Sequence, residues 1–155
     1  MLVLIRGAGD LASGVSLRLH RAGFPVVMTD IPKPTAIRRT VCFSQAIRFG
    51  TTMVEDAEGV CCHTAREVKA ALDAGEIPVL PDETAKCKDW LHPDVLVDGI
   101  LAKKNLGTKI TDASLVIALG PGFCAGRDCH AVIETMRGHT LGRVIWDGEP
   151  LPNTN

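Results

Sequence analysis

A short glycine-containing turn near the start of the chain constrains its fold more than any other feature. Gly7-Ala-Gly9-Asp-Leu-Ala12 follows the continuously apolar residues 2–5, which read as a buried parallel strand. Residues 10–22 carry apolar side chains at helical spacing, and residues 25–30 form a second apolar segment that ends in Asp30. Strand, turn, helix and strand in this order are typical of a Rossmann-like unit.

Each residue of the turn has a physical role in such a unit. Gly7 permits the tight turn, Gly9 lets a phosphate approach the backbone, and Ala12 keeps the helix close to the strand. The free amides at the start of the helix then attract an anion. Asp30 follows Gly9 by 21 residues, which is close to the spacing of a ribose-binding carboxylate. We expect a nucleotide or NAD(P)-like dinucleotide here; helix–strand packing alone is the alternative.

The loop after the second strand is basic. Asp30 favours a ribose with a free 2′-hydroxyl, whereas Arg38 and Arg39, with Lys33 nearby, would instead hold a second phosphate or a pterin phosphate. A solvated basic loop is the competing interpretation. We therefore take Arg38 and Arg39 as candidate ligand-binding residues.

Strands and helices alternate along the rest of the chain. Thr64 and Glu67 form a predicted capping box at the start of a helix over 64–74. Further helices are predicted at 44–50 and 131–137, and further strands at 41–43, 51–54, 60–63, 77–80, 95–98, 115–119 and 144–146. The pattern predicts an α/β, Rossmann-like fold with a mostly parallel sheet and helices on both faces. Residues 1–150 are expected to form one nucleotide-binding domain, followed by a polar tail over 151–155.

Composition narrows the possible partners. The chain of 155 residues has 17 Lys+Arg against 18 Asp+Glu, and its aromatic residues are four Phe and two Trp. Nucleic-acid binders usually carry a basic excess and stacking aromatics, so we expect no nucleic acid as partner. No apolar run reaches the roughly 18 residues of a membrane span, and no signal-peptide pattern is present. These features predict a cytoplasmic protein without membrane contact, whose six cysteines remain thiols.

A second glycine-rich segment follows the predicted strand at 115–119. Gly120, Gly122 and Gly126 lie where ligands bind in open α/β sheets, and Arg127 and His130 follow closely. Arg127 is a candidate to neutralise an anion and His130 a candidate hydrogen-bond donor. We expect this segment, and a helix carrying His130 and Glu134, to face the same cleft as Gly7. A structural network of paired charges is the alternative.

The second half does not match an established metal or nucleophile motif. His130, Glu134, His139 and Cys129 lack the spacing of known zinc sites, so no metal is expected. Cys124 and Cys129 are interpreted as buried thiols rather than a redox pair. Neither a Ser-His-Asp arrangement nor a G-x-S-x-G sequence is found.

Several segments together resemble one known family. They are Ile-Arg-Gly-Ala-Gly-Asp-Leu-Ala-Ser-Gly, Leu-His-Arg-Ala-Gly-Phe-Pro-Val, Arg38-Arg-Thr-Val41, Val97-Asp-Gly-Ile-Leu-Ala-Lys103, and Gly-Pro-Gly-Phe with the later Asp-Cys-His-Ala-Val-Ile-Glu-Thr and Arg-Gly-His. Over nearly its whole length the chain is similar to the YqeB-type accessory proteins of selenium-dependent molybdenum hydroxylase systems. Members of that family continue beyond the Pro-Asn-Thr sequence near Asn153. The resemblance therefore implies an N-terminal portion, and a glycine where Asn155 stands.

The resemblance implies a maturation role for a molybdenum hydroxylase, with no known catalytic step. Molybdenum cofactor, which is anionic and can carry a nucleotide, becomes a further candidate ligand, and the hydroxylase becomes the implied partner. An NAD(P)-dependent oxidoreductase is the alternative, with only His130 or Lys103 as candidate acid or base, and a ligand-free scaffold is a third reading. Assembly into a homo-oligomer is also left open.

Overall fold

The computed structural model describes residues 1–152. Within that range, one sheet contains all the strands. The strands are β1 Val3–Arg6, β2 Val26–Asp30, β3 Thr51–Val54, β4 Ala57–Cys61, β5 Ile77–Pro81, β6 Val95–Asp98, β7 Leu115–Leu119, β8 Ala131–Ile133 and β9 Val144–Ile145. The helices are α1 Asp10–Arg21, α2 Gln45–Phe49, α3 Ala65–Asp73 and α4 Lys88–Leu91, with a 3₁₀ turn at Arg39–Val41.

The spatial order of the strands is β3-β4-β5-β2-β1-β6-β7-β8-β9. Neighbouring strands from β4 through β8 are parallel, and only the outer pairs β3–β4 and β8–β9 are antiparallel. The prediction of an α/β fold with a mostly parallel sheet is confirmed. β1 lies near the middle of the sheet, with β2 on one side and β6 on the other.

Both faces of the sheet are covered, as predicted. Successive side chains of a strand point to opposite faces. In β1, Val3 and Ile5 pack with Ala12 and Leu17 of α1 in one apolar cluster. Leu4 packs in the second cluster, which includes side chains from α3. The continuous apolar runs of the central strands are explained by this burial on two sides.

The helix boundaries follow from local signals. The Thr64 hydroxyl accepts a hydrogen bond from the Glu67 amide, and the Glu67 carboxylate accepts one from the Thr64 amide, so the predicted capping box of α3 is confirmed. Helix α1 ends one residue earlier than predicted, and Gly23 follows it with a φ of +90°. Glycine adopts that conformation at no steric cost, which lets the chain reverse into β2.

The predicted helix over 131–137 is wrong, because Ala131–Ile133 is a strand. Val132 is fully buried, and this segment pairs with β7 on one side and β9 on the other. β-branched side chains suit such a strand, and the four-residue spacing of His130 and Glu134 matched a helix only by coincidence. These two residues consequently lie at opposite ends of β8.

The predicted strand at 41–43 is also wrong. The chain leaves the 3₁₀ turn there, and the Phe43 amide donates to the Ser13 hydroxyl of α1 instead of to a neighbouring strand. The hairpin of β3 and β4 reverses at Glu55 and Asp56, so β4 begins three residues earlier than the predicted strand at 60–63. Glu55 has a φ of +53°, as tight reversals often require.

The end of the chain is described only in part. The Leu151 amide donates to the Glu134 carboxylate, whereas Asn153, Thr154 and Asn155 of the predicted polar tail lie outside the described residues. Among the helices of residues 1–152, none is long and apolar enough to cross a bilayer.

Candidate functional site

The reversal of strand order beside β1 defines the candidate site. From β1 the chain passes to β2 on one side, and the later strand β6 pairs with the other side of β1. The strand order thus reverses between β1 and β6, and ligands of open α/β sheets bind at the carboxyl ends of the strands at such a point. Gly7 follows β1 and Gly99 follows β6 at this point.

Position 7 requires glycine because the turn packs closely against the backbone of Gly99. Its φ is +95°, and a Cβ added there would lie 3.0 Å from the carbonyl carbon and oxygen of Gly99. Ala12 touches the same loop, since a Cβ added to Gly99 would lie 3.0 Å from the Ala12 Cβ. The small residues of the turn thus bring α1 against the loop after β6, in addition to the strand contact expected from the sequence.

Gly9 has open space on the side where a side chain would project. A Cβ added at Gly9 would have no atom within 4 Å, although its φ of −71° suits any residue. Within residues 1–152, the amides of Gly9, Asp10 and Ala12 have no hydrogen-bond acceptor, while the Leu11 amide donates to the Asp10 carboxylate. The start of α1 therefore offers unpaired donors beside the open space at Gly9.

The Asp30 side chain connects the end of β2 to the glycine turn through a hydrogen bond. One carboxylate oxygen accepts a hydrogen bond from the Ala8 amide at 2.9 Å, and the other accepts one from the Ile31 amide at 2.7 Å. Burial raises the pKa of the Asp30 carboxyl above its usual value, and the two backbone donors offset only part of that rise. Asp30 has the position expected of a ribose-binding acid, and it also holds the turn in shape.

The two candidate arginines differ in their surroundings. The Arg38 guanidinium lies 3.4 Å from the Asp10 carboxylate at the start of α1, so it flanks the glycine turn. Arg39 begins the 3₁₀ turn, is exposed, and has no partner for its side chain in the described part of the chain. The Ser44 amide donates to the Ala8 carbonyl, which fixes the 38–44 segment against the turn.

A pocket of about 270 Å³ opens at the carboxyl ends of the four central strands β5, β2, β1 and β6. We call it the switch-point pocket; it is lined by Arg6, Gly7, Thr29, Asp30, Ile31, Glu83, Thr84, Ile100 and Leu106. A larger cavity of about 490 Å³ borders β9 and Glu134, away from the glycine turn. Only the smaller pocket includes residues of the sequence motif, Gly7 and Asp30.

Arg6 and Asp98 form a buried ion pair at the base of the switch-point pocket. The Arg6 guanidinium lies 3.5 Å from the Asp98 carboxylate, and both side chains are at least 96% buried. The Thr108 hydroxyl donates to Asp98 at 2.6 Å and accepts from Arg6. Sequence reasoning missed these three residues, although Arg6 and Asp98 each end an otherwise apolar strand, which is the signal that marks them.

The Arg6 guanidinium also orders the main chain around the pocket. One of its nitrogens donates to the Leu106 carbonyl at 3.3 Å and to the Glu83 carbonyl at 3.4 Å. The Arg6 Nε is buried and has no acceptor within residues 1–152. In the loop between Asp98 and Thr108, Leu101 and Lys103 both have a φ of +59°. Such strain persists only where surrounding contacts over-determine the backbone.

Gly120 and Gly122 lie at the same edge of the sheet as Gly7, because β7 runs parallel to β6 and β1. A Cβ added to Gly122 would lie 2.5 Å from the Lys104 Cα. One added to Gly120 would lie 2.7 Å from the Thr135 hydroxyl oxygen. These glycines thus allow the loop after β7 to pack on the loop after β6.

Gly126, Arg127 and His130 lie at the opposite edge of the sheet. His130 precedes β8, and its Nδ1 accepts a hydrogen bond from the amide of Val116 near the start of β7. The exposed Arg127 pairs with Asp128 at 3.0 Å and with Glu149 at 4.0 Å. The expected single cleft is therefore divided: the structure brings Gly120 and Gly122 to the edge that carries Gly7, but not these three residues.

The remaining candidate groups are engaged in the fold. Burial alone would raise the pKa of Glu134, but backbone donors from Leu151, Met136 and Thr135 lower it overall. Burial also raises the pKa of Cys62 to about 11 and of Cys87 to about 12, so these thiols are poor nucleophiles. All six cysteines are free. In residues 1–152, no three His, Cys, Asp or Glu side chains are grouped as ligands for a metal ion.

Comparison with known proteins gives one relative. The chain is 52% identical over 153 residues, or 99% of its length, to the uncharacterized protein YqeB of Escherichia coli (strain K12). No protein-family model and no solved structure matches it. The match spans 28% of the length of that relative. The chain is thus a homologue of YqeB, similar to it across almost all of its own length.

Proposed function

We propose that this protein binds a nucleotide-type ligand at the glycine turn and serves as an accessory protein of a selenium-dependent molybdenum hydroxylase system. The ligand in this proposal is the molybdenum cofactor or a nucleotide, held through its phosphate. One observation carries the proposal. Gly9 is the N-cap residue of α1 and lies beside open space, with unpaired amides, at the point where the strand order reverses.

The groups around Gly9 suit an anion. Helix α1 is twelve residues long, so the partial positive charge at its start is well developed. Asp10 would oppose an anion, but its carboxylate already accepts from the Leu11 amide and faces Arg38 at 3.4 Å. The negative charge of Asp10 is thereby partly offset, which leaves the unpaired amide of Gly9 to meet a phosphate.

An NAD(P)-dependent oxidoreductase is the second candidate, and the position of Asp30 at the end of β2 favours it. Hydride transfer also needs an acid or base near the ligand. His130 is separated from the carboxyl edge by most of β7, roughly 10 Å of extended chain, so it is poorly placed for that role. Lys103, in the loop between Ile100 and Leu106, is the candidate that remains.

Direct titration tests the proposal. The purified chain is titrated calorimetrically with NAD, NADP, ATP, CTP and molybdenum cofactor, and its absorbance is recorded for a co-purified pterin or nicotinamide. We expect at least one of these ligands to bind, and Gly9→Val to abolish that binding, since its side chain fills the open volume. Gly14→Val is the matched control: it places the same side chain on the same helix, at an exposed position with no neighbour within 4 Å.

Two results would contradict the proposal. The absence of binding by every ligand in the series would leave the protein without a nucleotide-type ligand and favour the scaffold reading. Undiminished binding by a well-folded Gly9→Val variant would move the ligand away from the glycine turn. Circular dichroism of both valine variants establishes that any loss is not due to unfolding.

A further inference from the structure

The switch-point pocket has walls of two chemical kinds. Ile31, Ile100 and Leu106 supply aliphatic surface, and Glu83 with Thr84 supplies a polar side. Its volume of about 270 Å³ lies just below the usual range for small-molecule sites, which suits one ring system rather than a whole dinucleotide. The pocket begins at Gly7, two residues from the open space at Gly9.

Glu83 is a solvent-exposed carboxylate at the rim of this pocket. Its carboxylate receives no hydrogen bond within residues 1–152, whereas both oxygens of Asp30 already accept backbone amides. Arg6, the basic residue that lines the pocket, is paired with Asp98. The Arg6 guanidinium also donates to the Glu83 carbonyl, which fixes the main chain of Glu83 at the pocket edge.

We propose that the switch-point pocket takes the heterocyclic ring of the nucleotide and that Glu83 selects rings with an exocyclic amino group. This inference rests on the proposed function, since it assumes a phosphate at Gly9. An ionised carboxylate only accepts hydrogen bonds, so an amino N–H is its complement and a ring carbonyl oxygen is repelled. The three aliphatic walls receive the faces of the ring.

The test compares ligand pairs that differ at the amino position. CDP against UDP, and ADP against IDP, each replace one ring amino group by a carbonyl oxygen and add a proton to the neighbouring ring nitrogen, while keeping the sugar and phosphates. We expect the amino member of each pair to bind at least about tenfold more tightly, the scale of one hydrogen bond to a charged group. Glu83→Gln should reduce that ratio to about threefold or less, because an amide both donates and accepts.

Glu76→Gln is the control for the change of charge. Glu76 precedes β5, whereas Glu83 follows its other end, so the two glutamates flank one strand at opposite edges of the sheet. We expect Glu76→Gln to keep the wild-type ratio. Equal affinities within each pair, with binding still abolished by Gly9→Val, would overturn the inference and leave the proposed function in place. The inference would also be overturned if Glu83→Gln left the affinity ratio within each ligand pair unchanged. If none of the four nucleotides binds, the inference and the proposed function are both contradicted for nucleoside diphosphates.

Discussion

The carboxylate of Asp30 accepts a hydrogen bond from the backbone amide of Ala8 at 2.9 Å, and this bond joins the end of β2 to the glycine turn. A residue expected to bind ribose is therefore also part of the framework of the turn. The second oxygen accepts from Ile31, so loss of the carboxylate affects two backbone groups at once.

We expect Asp30→Asn to change how stability depends on pH. Burial raises the pKa of Asp30 in the folded chain, so the folded state holds this proton more tightly than the unfolded state does. The contribution of this proton to stability is therefore complete below the unfolded value near 3.8 and is lost as pH rises through the folded pKa. Urea unfolding between pH 3 and 7 should show the stability of wild type falling relative to the variant across that window. A constant difference would contradict the assignment.

If Asp30 holds a ribose diol, NAD should bind more tightly than NADP, by about tenfold, because a 2′-phosphate would face the carboxylate. Calorimetric titration of wild type with both dinucleotides measures the ratio. Equal affinities would instead favour a role for Arg38 and Arg39 in holding the second phosphate. In that case the double variant Arg38→Gln, Arg39→Gln should weaken NADP selectively.

Alanine at the two glycines of the turn should change stability by very different amounts. Gly7→Ala introduces a Cβ at a φ of +95° and 3.0 Å from the Gly99 backbone, so we expect a loss of about 2–3 kcal/mol in unfolding free energy. Gly9→Ala meets no neighbour and should change stability by less than about 0.5 kcal/mol. Urea denaturation of both variants measures the difference. Equal losses would show that the contact between Gly7 and Gly99 is unimportant.

The steric cost of adding a Cβ at Gly122, against the loop after β6, can be measured separately from the cost of its backbone conformation. Gly122 and Gly107 have nearly the same φ, +102° and +99°, but only Gly122 has close neighbours. Gly107→Ala therefore measures the conformational cost alone, and we expect Gly122→Ala to destabilise by about 1–3 kcal/mol more. Thermal or urea unfolding compares the two. Similar losses would mean that the backbone of Lys104 moves away without cost.

The Arg6–Asp98 pair should show strong coupling. Asp98→Leu alone leaves the Arg6 charge buried without its partner, which we expect to cost about 3–5 kcal/mol. Arg6→Met with Asp98→Leu removes both charges, so its cost should be smaller than the sum of the two single changes. A double-mutant cycle by urea unfolding measures the coupling energy. Additive effects would show that the pair contributes little beyond its separate contacts.

The sequence predicted those parts of the fold and site that depend on local order. Gly7, Gly9 and Ala12 occupy one continuous turn, and Thr64 caps α3 through a residue three positions away, so spacing alone locates them. Arg6 and Asp98 are also visible as polar ends of two apolar strands. Their contact, however, requires β6 to pair with β1, and sequence spacing does not specify which strands become neighbours.

The structure of the second half of the chain was harder to predict, because it depends on pairing between segments that are far apart in the sequence. Ala131–Ile133 becomes a strand through pairing with β7 and β9, which a helical spacing of His130 and Glu134 did not reveal. The loop after β7 begins at the carboxyl edge with Gly120 and returns to the amino edge by Gly126. A continuous glycine-rich segment was therefore interpreted as one site although it spans the height of the sheet.

The pairing of β1 with β6 has a thermodynamic consequence. The switch-point pocket takes Arg6 and Gly7 from the start of the chain and Ile100 and Leu106 from more than ninety positions later, so it exists only when the central sheet is assembled. A ligand held there would bind the folded chain and not its separated segments. Its binding free energy would add to the free energy of unfolding of the whole sheet, and the midpoint of thermal unfolding would rise with ligand concentration.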